Sequence, residues 1–403
     1  MPAKGVTPVP THTAGVPRDG ARNASRDTVV LGGGVIGLAV AWRLAQRGLG
    51  VTVVDPTPGE GASFAAAGML APVTEVHYGE ERLLDLTLRA ARGYAAFAAE
   101  LAEASGLSPG YRETGTLAVA LDTDDKAVLE DLRTFQTALG LETAALTGRE
   151  CRRLEPMLTP SVRGGLLVPG DHSVDNRRLT AALLGAGERS GVTLRRSHAV
   201  EVVTDGDRVR GVRLDDGDTL DTGTLVLAAG CWSGRLPGLP PEALPPIRPV
   251  KGQILRLRTH PDRPFVTRTV RGLVRGSGVY LVPREDGEVV VGGTVEELGF
   301  DTTVTAGGVY DLLRDARTLL PGVTELTLVE THAGLRPGSP DNAPVLGPSP
   351  LDGLVLATGH YRNGILLAAV TADAIADVVT TGALPSYAEP FAPSRFAALE
   401  VFP

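Results

Sequence analysis

The first stretch of the chain with a clear apolar pattern, "DTVVLGGGVIGLAVAWRLAQRGLGVTVVDP", runs from Asp27 to Pro56. An apolar run predicts a strand over Thr28 to Leu31. A glycine turn follows, then apolar positions at helical spacing to about Gln46, a stop at Gly48 and a second strand from Val51 to Val54 that ends on Asp55. Residues 80–105 carry leucine and alanine at helical spacing with charges between them, which predicts a long amphipathic helix. Thr147 and Glu150 form a capping box for a short one. A second β-α-β region spans Val174 to Gly230, with a helix from Arg177 to Arg189 closed by Gly191. Its strands are Thr193 to Arg195, Val200 to Val203, Val209 to Leu214 and a buried one over 225–230. From Pro245 the period changes to two, in "GQILRLR", "GVYLVPR" and "EVVVGGT", the signature of a separate antiparallel sheet, interrupted by a helix from Gly307 to Leu320. The last strand, "GLVLATG", returns to the first texture. Two interleaved units follow: residues 28–80, 160–244 and 325–395 in one, residues 81–159 and 245–324 in the other.

Composition narrows the function. The length of 403 residues suits two lobes better than one core. A formal charge of −8 without any basic run argues against nucleic acid as a partner. Cys151 and Cys231, the two cysteines, have neither metal spacing nor a disulfide framework, in keeping with a reducing cytoplasm, and no metal is expected. Residues 1–27 lack the apolar centre of a signal peptide and are expected to be a disordered tail. The uncharged segment Thr28 to Trp42 has 15 residues and four glycines, short of the about 20 apolar residues a membrane span needs. No membrane insertion is expected.

The glycines Gly32, Gly34 and Gly37 fit G-x-G-x-x-G, a pattern that a glycine-rich chain of this length produces about once by chance. Context separates a dinucleotide site from an ordinary glycine-rich turn: the match lies between strand and helix, and Asp55 ends the next strand 23 positions after Gly32. In a dinucleotide site Gly32 permits the tight turn, Gly34 admits a pyrophosphate to the backbone, and Gly37 packs the helix close. Val35 and Ile36 offer unpaired N–H groups to the phosphates, and Asp55 accepts from a ribose. In "GEGASFAAAGMLAP" small residues leave backbone bare where a planar ligand could lie, a flexible loop being the alternative. "TLVLAAG" tapers to Gly230 in the same way. In "GHYRNGILLA", His360, Tyr361, Arg362 and Asn363 stand just before the first turn of an apolar helix, either as an ordinary cap or aimed at a ligand.

In this order, and with "GASFAAAGMLAP", "THAGLRPGSPDNAPVLG" and "ATGHYRNGILLA", the chain resembles the glycine oxidases of the D-amino acid oxidase family over residues 27–395. The resemblance implies an α/β fold, α+β overall, with a Rossmann-like FAD-binding domain of glutathione-reductase type interleaved with an antiparallel-sheet substrate domain. It implies non-covalent FAD and oxidation of glycine or another small amine by hydride transfer to flavin N5. Among glycine oxidases oxygen is the acceptor, hydrogen peroxide, glyoxylate and ammonia are the products, and service to thiamine thiazole synthesis is common, so the resemblance implies the same here. It also implies a homo-oligomer, a tetramer by analogy.

Carried onto this chain, the resemblance assigns FAD contacts to Val35, Ile36, Asp55, Ala62, Ser63, Ala67, Gly68, Met69 and Val200, with residues 360–366 closing over the flavin. The helix N-terminus at Gly364, Ile365 and Leu366 is expected to face the flavin edge that gains negative charge on reduction. Arg336, in "GLRPG", is expected to anchor a substrate carboxylate through its planar guanidinium, a surface ion pair being the alternative. Tyr280 joins it if Val279 and Leu281 pack the opposite strand face, although a tyrosine in a strand is more often core. Arg362 could face flavin, substrate or both. No general base is named, since orientation and electrostatics suffice when the amine arrives neutral.

Three departures stand out. Asp55 replaces a frequent glutamate. Asn176 replaces a frequent proline and is expected to matter little. Neither cysteine lies near the C-terminal motifs, so a covalent cysteinyl flavin is not expected. A D-amino acid or sarcosine oxidase or dehydrogenase, or a flavin-binding subunit without turnover, remains the alternative.

Overall fold

The computed structural model describes residues 27–274 and 276–396, so the tail expected over residues 1–27 lies outside the described residues apart from Asp27, which opens the first strand. Two sheets organise the chain. The six-stranded sheet runs, edge to edge, through Val345–Pro348, Leu354–Thr358, Thr224–Leu227, Asp27–Leu31, Gly50–Val54 and Thr193–Arg195. It is parallel except at the edge pair Val345–Pro348 and Leu354–Thr358. Both faces of its central strands are covered, which is why they read as unbroken Val and Leu runs and not as alternation.

One face packs against the helices Val35–Gln46, Glu81–Ser105, Asn176–Arg189 and Gly364–Thr381. The other packs against a three-stranded antiparallel sheet of Ala199–Asp205, Arg208–Leu214 and Thr219–Asp221. Gly364–Thr381 is apolar enough, at a mean hydropathy of 1.6 over 18 residues, to match a membrane span by length and composition. Two-thirds of it, 67%, is buried between the other helices and the sheet, which accounts for that apolarity.

The eight-stranded sheet has the order Thr327–Gly338, Arg248–Arg258, Glu288–Gly292, Ser277–Pro283, Thr269–Val274, Thr116–Ala120, Gly164–Val168, Ala144–Thr147. It is antiparallel but for the pair Thr269–Val274 with Thr116–Ala120. Period two sorts its side chains: Leu255, Leu257, Val279, Leu281, Val289 and Val291 face the helix Ala306–Leu319, while Ile254, Tyr280, Val282 and Val290 face the first unit.

The unit boundaries differ from those expected at three places. Gly164–Val168 and Thr327–Gly338, expected with the parallel sheet, pair within the eight-stranded one. Glu81–Ser105, expected with the second unit, packs on the helices of the first. Periodicity says that a face is buried but not against which neighbour, so long-range partners escape it. The helix Thr123–Ala138, capped by Asp122, was not expected at all, because only its Gln136 is buried and the polar sequence shows no apolar stripe.

Candidate functional site

A cavity of about 600 Å³ runs between the two units from the glycine turn to the strands around Tyr280, a volume typical of cofactor and ligand sites. At its first end the three fingerprint glycines have separate physical reasons. Gly32 sits at φ +106°, and a Cβ there would stand 2.3 Å from the Ala228 carbonyl oxygen; at Gly37 it would stand 1.9 Å from that of Gly32. Gly34 needs neither, since its Cβ would meet only Ser63 Oγ, at 3.2 Å, so this backbone stays bare toward the cavity. Val35 N–H donates to Ser63 Oγ at 2.9 Å, and the first turn of Val35–Gln46 has no side-chain cap from its own N-cap residue. Asp55 lines the cavity and fixes the turn, its carboxylate accepting from Gly33 N–H at 2.7 Å and Thr57 N–H at 2.8 Å.

The side wall is the segment Ala62 to Met69. Gly68 at φ +75° lies so close to Val174 that a Cβ would come 2.0 Å from its carbonyl oxygen. The segment is tethered from behind by buried groups. Asn176 donates to the Ser63 carbonyl at 2.7 Å and to that of Phe64 at 3.0 Å, and Arg284 donates to the Ala67 carbonyl at 2.6 Å. Asn176 Oδ1 accepts in turn from Arg284 at 3.1 Å and from Arg256 at 3.3 Å. Arg256 is ion-paired with Glu288, whereas burial pulls the Arg284 guanidinium down to about 10.

At the second end the chain from Gly359 to Gly364 crosses the cavity. Tyr361 takes the left-handed conformation, φ +46°, and its N–H donates to the Pro337 carbonyl at 3.0 Å. The helix Gly364–Thr381 begins without a side-chain cap, so its first N–H groups are free of intrahelical acceptors, and Gly364 and Ile365 line the cavity. His360 turns inward to Thr371, Nε2 to Oγ1 2.9 Å, and burial pushes it down to about 3, so it is neutral there. Arg362 is held by two carboxylates, Nη2 to Glu80 at 2.8 Å and Nε to Glu75 at 3.2 Å.

Beyond this crossing, Arg336 lies over Gly252, where a Cβ would collide with Nη1 at 2.3 Å. Nη1 donates to the carbonyls of Thr294 at 3.0 Å and Lys251 at 3.3 Å, and Arg336 has no acidic partner among the described residues. The Tyr280 ring occupies the space left by Gly292 and Gly293, where a Cβ would stand 2.4 and 2.8 Å from its hydroxyl. Burial raises the Tyr280 hydroxyl, opposed by the positive charge of Arg336 beside it.

The cavity thus brings together Gly32, Gly34, Val35, Ile36, Asp55, Ala62, Ser63, Ala67, Gly68, Met69, Gly230, Tyr280, Arg336 and the run from His360 to Ile365. Three expected contacts lie outside its lining. Gly37 packs helix on strand; Leu366, 1% exposed, points into the helical core; Val200, 37% exposed, points away, since on this strand its neighbour Ala199 takes the inward position, with Ser197 and His198 before it. Glu75, Gly252 and Cys231 line the cavity without having been anticipated. Cys231 follows Gly230, so the tapered strand end was its signal. Its buried thiol is pushed up to about 12 by burial and is held un-ionised. Asn176, expected to matter little, is fully buried at the centre of the tether. The donors fit FAD: Gly34 leaves backbone bare at the first turn of Val35–Gln46, although the Val35 N–H, expected to be unpaired, is already taken by Ser63, and this end suits a pyrophosphate, while the free N–H groups at Gly364 suit an electron-rich ring edge.

Comparison with known proteins agrees with this geometry. The chain is 37% identical over 358 residues to the bifunctional protein ThiO/ThiG of Trichormus variabilis, covering 88% of this chain and 53% of that one. It therefore spans about half the length of several curated relatives that it matches. It is 35% identical to the glycine oxidase of Geobacillus kaustophilus over 88% of this chain and 92% of that one. The crystal structure of glycine oxidase from Geobacillus kaustophilus superposes with a TM-score of 0.84 at 32% identity, covering 92% of this chain and 99% of the other. Residues 27–378 match the family described as DAO, FAD dependent oxidoreductase. With a dinucleotide cradle at one end and an uncapped helix at the other, the chain belongs to the DAO family of FAD-dependent oxidoreductases.

Proposed function

We propose that this protein oxidises the Cα–N bond of glycine, or of a similarly small amine-bearing acid, with oxygen as the final acceptor. Amino acid, oxygen and water then give glyoxylate, ammonia and hydrogen peroxide. The observation that carries this reading is Arg336, a cavity-lining guanidinium without an acidic partner among the described residues, set beside the Tyr280 hydroxyl.

A planar guanidinium holds both oxygens of a carboxylate, and Tyr280 adds a third donor to the same anion. Gly252, Gly292 and Gly293 leave both side chains room, so the anchor is fixed before substrate arrives. FAD, when bound, supplies the two-electron acceptor. The first-turn N–H groups at Gly364 and Ile365 offer positive potential to that end of the cavity, while neutral His360 adds no charge. No side chain is required to remove a proton from a neutral amine, and His332, 34% exposed at its side chain and outside the cavity lining, is not placed to do so. Relatives named glycine oxidase and ThiO support a small amino acid as substrate and a place in thiamine thiazole synthesis.

The test is the visible spectrum of the purified protein, followed under anaerobic conditions as glycine is added, then peroxide release in air. Bleaching by glycine with peroxide formation supports the reading. Faster bleaching by sarcosine or D-proline transfers the activity to those amines, and a colourless protein that stays colourless with added FAD refutes it.

A further inference from the structure

Arg336 and Arg362 both line the cavity, yet their surroundings differ. Arg336 donates to two backbone carbonyls and lies beside the Tyr280 hydroxyl, with no acidic partner among the described residues. Arg362 is paired with two carboxylates, Glu80 at 2.8 Å and Glu75 at 3.2 Å. Both acids are themselves held in place: Glu75 pairs through its other oxygen with Arg271, the cross-strand neighbour of Tyr280, and Glu80 accepts from Asn342 Nδ2 at 2.8 Å.

We infer that Glu75, with Glu80 in support, is a specificity residue that withdraws Arg362 from anion binding and restricts the site to substrates with a single carboxylate. This rests on the function proposed above and adds the substrate class. Burial disfavours the charge on Glu75, but Arg271 and Arg362 outweigh it and hold the carboxyl below its usual range, so the charge is present at neutral pH. A monocarboxylate reaches Arg336 and leaves the Glu75–Arg362 pair intact. A second carboxylate on the substrate would share the cavity with the Glu75 charge, and selectivity by such a repulsive element is a general device. Removing the Glu75 charge turns Arg362 into a second anion anchor.

The experiment uses the flavin-containing protein and two probes, acetate and malonate, with dissociation constants read from the flavin absorbance change. Glu75→Gln should tighten malonate relative to acetate by about tenfold, one charge-assisted contact. Glu80→Gln should shift the ratio in the same direction by less, and it decides alone if Glu75→Gln does not fold, because it leaves the Arg271 pair in place. An unchanged malonate-to-acetate ratio in the variants overturns the assignment of Glu75. A wild-type protein that holds flavin but responds to neither acid overturns the carboxylate site itself, and with it the function proposed above.

Discussion

Asn176 Nδ2 stands 2.7 Å from the carbonyl oxygen of Ser63, joining the first turn of one helix to the cavity wall 113 residues earlier in the chain. Ser63 in turn receives the Val35 N–H at the fingerprint, so a single side chain links the wall, the phosphate end and the buried arginines Arg256 and Arg284.

Replacing Asn176 by proline isolates that link. Asn176 is the first residue after the N-cap Asp175, a position where proline fits a helix without loss, so only the side chain's bonds are removed. Two buried carbonyls and two arginines lose a partner, and a cost of about 1–3 kcal/mol is expected. Thermal unfolding should show this loss for Asn176→Pro and Asn176→Ala alike, with weaker FAD binding by titration. Unchanged melting and affinity would show the tether to be redundant.

The fingerprint glycines predict different failures. Gly34→Ala meets only the Ser63 hydroxyl, so the fold should persist while FAD affinity falls; Gly37→Ala drives a methyl to 1.9 Å from a carbonyl oxygen and should cost the fold itself. Circular dichroism and flavin content together separate the two. A Gly34→Ala protein that retains full flavin content would remove Gly34 from the phosphate end.

Arg336→Ala should raise KM at least about tenfold with FAD still bound, since loss of a charge-assisted bidentate contact acts first on substrate binding. Gly252→Ala should do the same indirectly, because its methyl would occupy the space crossed by Nη1. Steady-state kinetics on both variants is the check. An unaltered KM in Arg336→Ala places the carboxylate elsewhere.

His360 makes acid stability a test of its burial. Its folded pKa, about 3, lies below the ordinary value of 6.5, so below pH 6.5 the unfolded chain takes up a proton that the folded chain refuses. This group's contribution is complete above pH 6.5 and is lost on acidification toward pH 3, at up to about 1.4 kcal/mol per pH unit. His360→Gln can still hydrogen-bond with Thr371 and should flatten the acid limb of a stability-versus-pH series. Parallel slopes for the two proteins would show that His360 is not the titrating group.

Much of this was legible in order of appearance. The glycine turn, the strand ending on Asp55, the amphipathic helix over residues 80–105, the Thr147–Glu150 capping box and the inward alternation of Tyr280 each depend on neighbours within one or two turns, and the structure contains all of them. The partners of Gly164–Val168 and Thr327–Gly338 were not legible, because strand pairing is decided by residues far away in the chain.

The family and most local conformations could be read along the chain, because turns, caps and periodic faces are written in adjacent residues; the polar helix Thr123–Ala138, with only Gln136 buried, has no such face and escaped. What each buried polar side chain does was settled by the packing of distant segments. That packing turned Asn176 from a neutral exchange into a tether, gave Arg362 to Glu75 and Glu80, and left Arg336 without an acidic partner among the described residues. The physical reason is that a buried donor or charge must find a partner wherever the fold supplies one, and such partners lie at separations, here 113 and 282 residues, that no local pattern encodes.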